Sequence, residues 1–508
     1  MKKYLSYLFT ISILLLTAVT PVSAVDGGCD CGFSPIVYVG PLGCARIVRD
    51  AGTDNEQQLW PIDSDFLMEN LKSELPALKK GILTFNSDLI GHTLARFVND
   101  CMSDLTLDED GRSKANVTTP SINSPHGAKH GPDDNYYFNY DFRLDPYEHA
   151  ERLHGFIDKV KQLTGHDSVK LMCSSMGGVV MSAYLDEYGY EGIDAIVCRC
   201  SPLKGTAVAG EGYCGKVELN GKAVTRYAED GIPYLEKDPK NDDIREALLY
   251  ALLDTLKATG VIDGICALGE GLIKRAGHIV FNEALIPIFR TFPGIWSFVP
   301  EEYFEEAVEF MGLKESGTLY DKVMKYRTAM ANIETNLKAA QSNGTRIALI
   351  VGYNVQRTPL VTLWKSTSDG TVDTKYASLG ATCGDVKKKL SRDYLKNLEN
   401  KEYLSPDKMI DASTCAFPDY TWFIKDWLHC NGNSGIDSLV KHTMADEEPV
   451  NIHTYKEYPQ FMEADENADT IYPATGGYSE FHRLISHPSF LNFTRFFYSI
   501  FKRIFFFI

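Results

Sequence analysis

The sequence predicts an α/β protein built on a mostly parallel, doubly wound sheet with a helical insertion, and three observations carry that reading. Between Tyr136 and Cys198 apolar runs of strand length alternate with stretches of helical periodicity. From Gly205 to Asn343 the pattern becomes mostly helical, and at Arg346 to Val351 it returns to a buried strand. A chain of 508 residues, 44% hydrophobic, has material for one large core plus such an insertion.

The elements follow in order. Lys2 and Lys3, the apolar stretch Leu8 to Val19 and the small-x-small triplet Val22-Ser23-Ala24 read as a cleaved leader over residues 1–24. Its apolar core is shorter than the roughly 20 residues that span a bilayer. Residues 25–206 read as the first part of the core. There, Thr118 to Asp134 is rich in Pro, Ser, Asn, Gly and His and is expected to be a surface loop, followed by a strand from Tyr136 to Tyr140. Asp145-Pro146-Tyr147-Glu148 is a helix start, with an N-cap Asp, Pro at the first position and Glu placed for a capping box. Ala150, Leu153, Ile157 and Val160 give that helix its apolar face, and Thr164-Gly165-His166-Asp167 ends it. Strands are expected at Val169 to Met172 and Ile193 to Cys198.

Between those strands lies Cys173-Ser174-Ser175-Met176-Gly177-Gly178, followed by the helical segment Val179 to Leu185. A strand, a sharp turn and a helix lift one serine out of the backbone in the nucleophile elbow of an α/β-hydrolase. The strained turn demands small residues two before and two after the nucleophile. Ser175 has Cys173 and Gly177 there, whereas Ser174 has Met176 at plus two, so Ser175 is the candidate nucleophile. A Gly-rich turn without chemistry is the plain alternative.

Residues 207–343 read as a cap or lid above that serine, with helices at Ile244 to Leu256 and Leu319 to Ala340. Gly260 to Pro300 is strongly apolar, including Phe281, Phe289, Phe292, Ile295, Trp296 and Phe298. Residues 344–450 read as the second part of the core. Within it Ser368-Asp369-Gly370-Thr371-Val372-Asp373 offers Asp369 as the acid that orients a histidine, with Asp373 as its competitor. In the order Ser, Asp, His the base follows Asp369. His429, in a loop after Phe417 to Ile424 and ahead of a helix from Ile436 to Met444, is preferred to His442 inside that helix. Asp426 is placed to pair with His429 in a structural role instead. The backbone N–H of Met176 is the first expected oxyanion donor.

Tyr140-Asp141-Phe142-Arg143, Ser175-Met176-Gly177-Gly178, Pro202-Leu203-Lys204-Gly205-Thr206 and Asp369-Gly370-Thr371-Val372 together resemble the lecithin:cholesterol acyltransferase and lysosomal phospholipase A2 family, with its bacterial lipase-like relatives. The chain departs from the family pattern at Phe142, where the family carries Trp, and at Ser174, where it usually carries His. The resemblance spans most of residues 33 to 430 and implies an α/β-hydrolase fold and a Ser175, Asp369, His429 triad. It aligns Pro35 to Gly43 with the family's oxyanion loop, but the donor position falls on Pro41, which has no N–H, leaving Leu42 as the second donor. Asp141 and Arg143 are expected to form a structural ion pair.

The resemblance implies cleavage of acyl esters of lipids, lipase or phospholipase chemistry through an acyl-enzyme. An O-acyltransferase of the same fold and an inactive lipid-binding or envelope protein remain open alternatives. No cysteine and histidine cluster has zinc-ligand spacing, so neither metal nor organic cofactor is expected. The net charge of −17 repels polyanions and excludes nucleic acid as a partner. A secreted or cell-envelope location accommodates 12 cysteines, which permit disulfides without fixing their pairing, though Cys173, Cys198 and Cys200 read as buried thiols. Residues 451–508 read as an extension. Its last stretch, 490–508, carries Arg495, Lys502 and Arg503 on one stripe and a Phe-rich remainder, the pattern of a helix lying in a membrane interface or docked on the domain.

Overall fold

The computed structural model describes residue 29 and residues 31–120, 124–129, 131, 134–218, 220–231, 261–358, 361–445, 449–465 and 468–475. The leader, the Ile244 to Leu256 helix and the terminal amphipathic helix lie outside the described residues.

The strands, in chain order, are β1 (Ile36–Val39), β2 (Ile47–Arg49), β3 (Gln57–Trp60), β4 (Val117–Thr118), β5 (Asn135–Phe138), β6 (Val169–Ser174), β7 (Ile193–Arg199), β8 (Arg346–Tyr353), β9 (Thr382–Cys383), β10 (Ile410–Asp411), β11 (Thr421–Lys425), β12 (Phe461–Asp465) and β13 (Thr470–Pro473). Eight of them form one sheet in the order β13-β12-β11-β8-β7-β6-β1-β5, parallel throughout except for β13. Alternate residues of the central strands face opposite cores. Val37, Val39, Cys198, Leu349, Val351 and Phe423 pack on one face, and Ile36, Val197, Ala348, Ile350, Trp422 and Ile424 on the other. Burial on both faces is why these strands read as continuous apolar runs.

The main helices are α1 (Ser64–Leu83), α2 (Ser87–Met102), α3 (Pro146–Thr164), α4 (Gly177–Tyr188), α5 (Ala207–Tyr213), α6 (Gly221–Gly231), α7 (Val261–Val280), α8 (Phe304–Met311), α9 (Thr318–Ser342) and α10 (Ser434–Ala445). Asp145 caps α3 by accepting from the Tyr147 N–H at 3.0 Å, and Gly165 ends it with φ 69°. The reciprocal half of the capping box is not made, because the Glu148 carboxylate accepts from Lys322 Nζ at 2.8 Å instead. Helices α3, α4 and α9 pack together on one side of the sheet, while α10 packs Ile436, Leu439 and Val440 on the other. Thus α9, at the end of the segment read as a cap, lies against α4 in the layer that covers the sheet.

Two parts of the architecture have no counterpart in the sequence reading. Helices α1 and α2 form a hairpin that packs on α7, where Gly91 lets α2 close on the Ile279 side chain. After residue 450 the chain adds β12 and β13 to the sheet. The chain reverses its direction of travel across the sheet at β1, which has β5 on one side and β6 on the other. The carboxyl ends of β1 and β6 therefore border a crevice at a topological switch point, where open α/β sheets bind ligands.

Candidate active site

Ser175 follows the last residue of β6 and holds φ at 50°, a left-handed conformation that a non-glycine residue adopts only under constraint. The constraint is visible in its neighbours. The Ser175 N–H donates to the Arg199 carbonyl at 2.9 Å, and the Gly178 N–H donates to the Ser175 carbonyl at 2.9 Å. A Cβ on Gly177 would lie 2.2 Å from the Val39 carbonyl oxygen, and one on Gly178 would lie 2.5 Å from Ser201 Cβ. Both glycines are thus required for the turn to seat against β1 and the end of β7. Ser174 remains in the strand, in register with Arg199.

Asp369 is held by its own turn. One carboxylate oxygen accepts from the N–H groups of Thr371 at 2.9 Å and Val372 at 2.7 Å, and Gly370 makes the turn with φ 94°. Gly352 on β8 leaves room for it, since a Cβ there would come within 2.6 Å of Asp369 Cβ. The other carboxylate oxygen accepts from His429 Nδ1 at 2.7 Å, and the His429 backbone N–H donates to the Asp369 carbonyl at 2.9 Å. The ring is thereby fixed at two points, and its Nε2 accepts from Ser175 Oγ at 2.9 Å. Three residues separated by 60 and 254 positions meet in one line of hydrogen bonds. Burial works against a charge on the His429 ring, but the Asp369 carboxylate and Cys430 outweigh it and hold its pKa well above the usual histidine value.

The competitors are placed elsewhere. Asp373 forms a buried ion pair with Arg357 and accepts from the Ala207 N–H at 2.9 Å, anchoring the start of α5. His442 Nδ1 donates to the Ser438 carbonyl at 2.7 Å and stands among Tyr455 and Tyr458. Asp426 accepts from Asn354 Nδ2 at 2.7 Å. Asp141 and Arg143 form a buried ion pair at 2.6 Å, and Arg143 also donates to the Leu105 carbonyl at 2.7 Å, which ties the β5 end to the segment after α2.

Ser175 opens into a pocket whose wall is almost wholly apolar. The segment Gly260 to Pro300 contributes Phe289, Ile295 and Phe298, while Trp60, Met102 and Phe142 come from regions to which the sequence assigned no such role. Only Phe142 sits in a motif that could have marked it. Leu42 lies on the same wall as Ser175, in the tight turn closed by the Cys44 N–H on the Pro41 carbonyl at 3.1 Å. Among the described residues, no backbone hydrogen bond outside helices and strands uses the N–H of Leu42 or of Met176.

Two cysteine and histidine groups converge that sequence spacing does not reveal: Cys29, Cys31 and His166 at one end of the sheet, and Cys200, His429 and Cys430 at the candidate site. Cys173, Cys198 and Cys200 are buried free thiols. No protein-family model matches the chain, and a search of curated proteins finds no match either.

Proposed function

We propose that this chain is a serine hydrolase of the α/β-hydrolase fold that cleaves acyl esters of lipids, acting outside the cell or in the cell envelope. The observation that carries the reading is the His429 ring standing between Ser175 Oγ at 2.9 Å and Asp369 Oδ2 at 2.7 Å, at the mouth of an apolar cavity.

In this reading Ser175 Oγ attacks the ester carbonyl as His429 Nε2 takes its proton. Asp369 holds the ring in the tautomer that leaves Nε2 free to accept and stabilises the imidazolium as it forms. The N–H groups of Met176 and Leu42 receive the negative charge on the carbonyl oxygen. Collapse of the tetrahedral intermediate breaks the ester bond, and His429 returns the proton to the leaving alcohol. Water, deprotonated by His429, then attacks the acyl-Ser175 ester and releases the acid. No step calls for a metal or an organic cofactor.

The lipid part of the reading rests on the walls of the cavity and on the outer surface. A pocket with walls this apolar suits an acyl chain better than a polar group. At the turn between α1 and α2, Ile82, Leu83 and Phe85 are 60%, 80% and 68% exposed, an apolar tip of the kind that marks an interaction surface. The experiment is a comparison of rates on a soluble short-chain ester and on the same acyl ester in vesicles or emulsion. The proposal expects the rate to rise at the aggregated substrate. Hydrolysis of the soluble ester with no release of long acyl chains from lipid overturns the lipid part.

A further inference from the structure

His429 does not face Ser175 alone. Cys430 Sγ lies 3.7 Å from His429 Nε2, and Cys200 Sγ joins them, the three ligand atoms lying within 4.8 Å of one another. A tetrahedral zinc ion, with Zn–S bonds near 2.3 Å and Zn–N bonds near 2.0–2.1 Å, sets a sulfur and a nitrogen ligand roughly 3.6 Å apart. The observed sulfur-to-nitrogen separation is close to that value. Cys200 directly follows β7, and both cysteines hold left-handed backbone, with φ 48° and 51°. The polypeptide is constrained where it presents these two sulfurs, as it is at Ser175.

The outer contacts fit as well. A metal-ligating histidine donates its second ring N–H to a carboxylate, which fixes the ring and raises its basicity. His429 Nδ1 already does this to Asp369. The arrangement that makes Nε2 a base also makes it a ligand.

We propose that Cys200 Sγ, Cys430 Sγ and His429 Nε2 form an inhibitory site for a thiophilic divalent cation such as Zn²⁺. The cation reaches the site past the partly exposed Cys430 and the His429 ring, whose side chain is 11% exposed, while Cys200 closes the site from the buried side. Each thiol releases its proton to solvent on binding, so the two thiolates balance the dipositive ion. The fourth position belongs to water or to Ser175 Oγ. In either case the lone pair that accepts the serine proton is occupied. The metal site stands on its own geometry; that its occupation is inhibitory rests on the hydrolase reading.

The test uses the full chain with thiols reduced and reductant removed, in a Cys29→Ser, Cys31→Ser background that disables the second cluster. Titration with Co²⁺ is expected to give thiolate-to-cobalt charge transfer and tetrahedral d–d bands at one equivalent, both abolished by Cys200→Ala or Cys430→Ser and displaced by Zn²⁺. Zn²⁺ is expected to stop ester hydrolysis and a chelator to restore it, and either cysteine variant, measured against its own metal-free rate, to need roughly 100-fold more Zn²⁺ for inhibition, since losing a direct ligand costs more than losing an outer-shell partner. Bands or inhibition that ignore both cysteine variants overturn the proposal, as does a Cys200–Cys430 disulfide in the purified protein, which consumes both donors. Bands that follow the two cysteines in a protein that cleaves no ester leave the metal site standing and remove the hydrolase reading instead.

Discussion

At the scale of single residues, the two aspartates four positions apart in one motif, Asp369 and Asp373, do opposite work. Asp369 and Asp373 are both buried, yet one carboxylate ends on the His429 ring and the other on the Arg357 guanidinium. Asp369→Asn keeps an oxygen for the N–H groups of Thr371 and Val372 and removes the charge that holds the ring. We expect kcat to fall by about 10⁴ with the unfolding midpoint little changed, as in other triads whose acid is made neutral. Asp373→Asn leaves Arg357 buried opposite a neutral amide and is expected to cost about 3–5 kcal/mol of stability, with kcat of the folded fraction largely kept. Steady-state kinetics and urea unfolding on the two variants separate the roles. An unchanged kcat in Asp369→Asn removes it from the mechanism.

At the scale of elements, the α1–α2 hairpin carries both a wall of the cavity, through Met102, and the exposed tip of Ile82, Leu83 and Phe85. Replacing the three tip residues by Ser is expected to reduce vesicle binding and hydrolysis of vesicular lipid several-fold while leaving hydrolysis of a soluble ester intact; sedimentation with vesicles and the two rates are the readouts. Equal loss of both rates assigns the tip to folding instead. Ending the chain after Pro488 in the same assay isolates the contribution of the Phe-rich tail. The hairpin was not legible in the sequence because α1 buries only Gly81 and so displays no strong apolar stripe. The strands around Ser175 were legible because β6 and β8 are buried on both faces and read as unbroken apolar runs. Ser175 could be chosen by the size rule, and the structure supplies its reason in the contacts that Gly177 and Gly178 make with β1 and Ser201. The edge strands β12 and β13 were missed: Phe461–Asp465 buries only its first two residues, and Thr470–Pro473 only Ile471. The meeting of Cys200 with Cys430 was beyond any local pattern, because it depends on β7 and the loop after β11 ending side by side with β8 between them.

At the scale of the whole molecule, folding stores a response to acid in α3. His149 is fully buried, its Nε2 donates to the Asp141 carbonyl at 2.7 Å, and its Nδ1 has no partner among the described residues. Burial first, then the Arg152 guanidinium, lowers its pKa from 6.5 to about 4, against the opposing pull of Asp141 and Glu148. The folded value lies below the unfolded one, so this contribution is fully present above about pH 6.5 and is lost as pH falls toward about 4. The gap is worth roughly 3 kcal/mol. Urea unfolding at pH 7 and pH 4 should show a larger loss in the native chain than in His149→Gln, which keeps a neutral donor; parallel losses would contradict this. The central claim remains that the whole fold serves one activated serine, and it is tested most directly by treating the purified full chain with a fluorophosphonate and locating the adduct by mass spectrometry. The account predicts a single adduct on Ser175, absent from Ser175→Ala together with all esterase activity. A well-folded protein that takes no label, or takes it on Ser174, contradicts it.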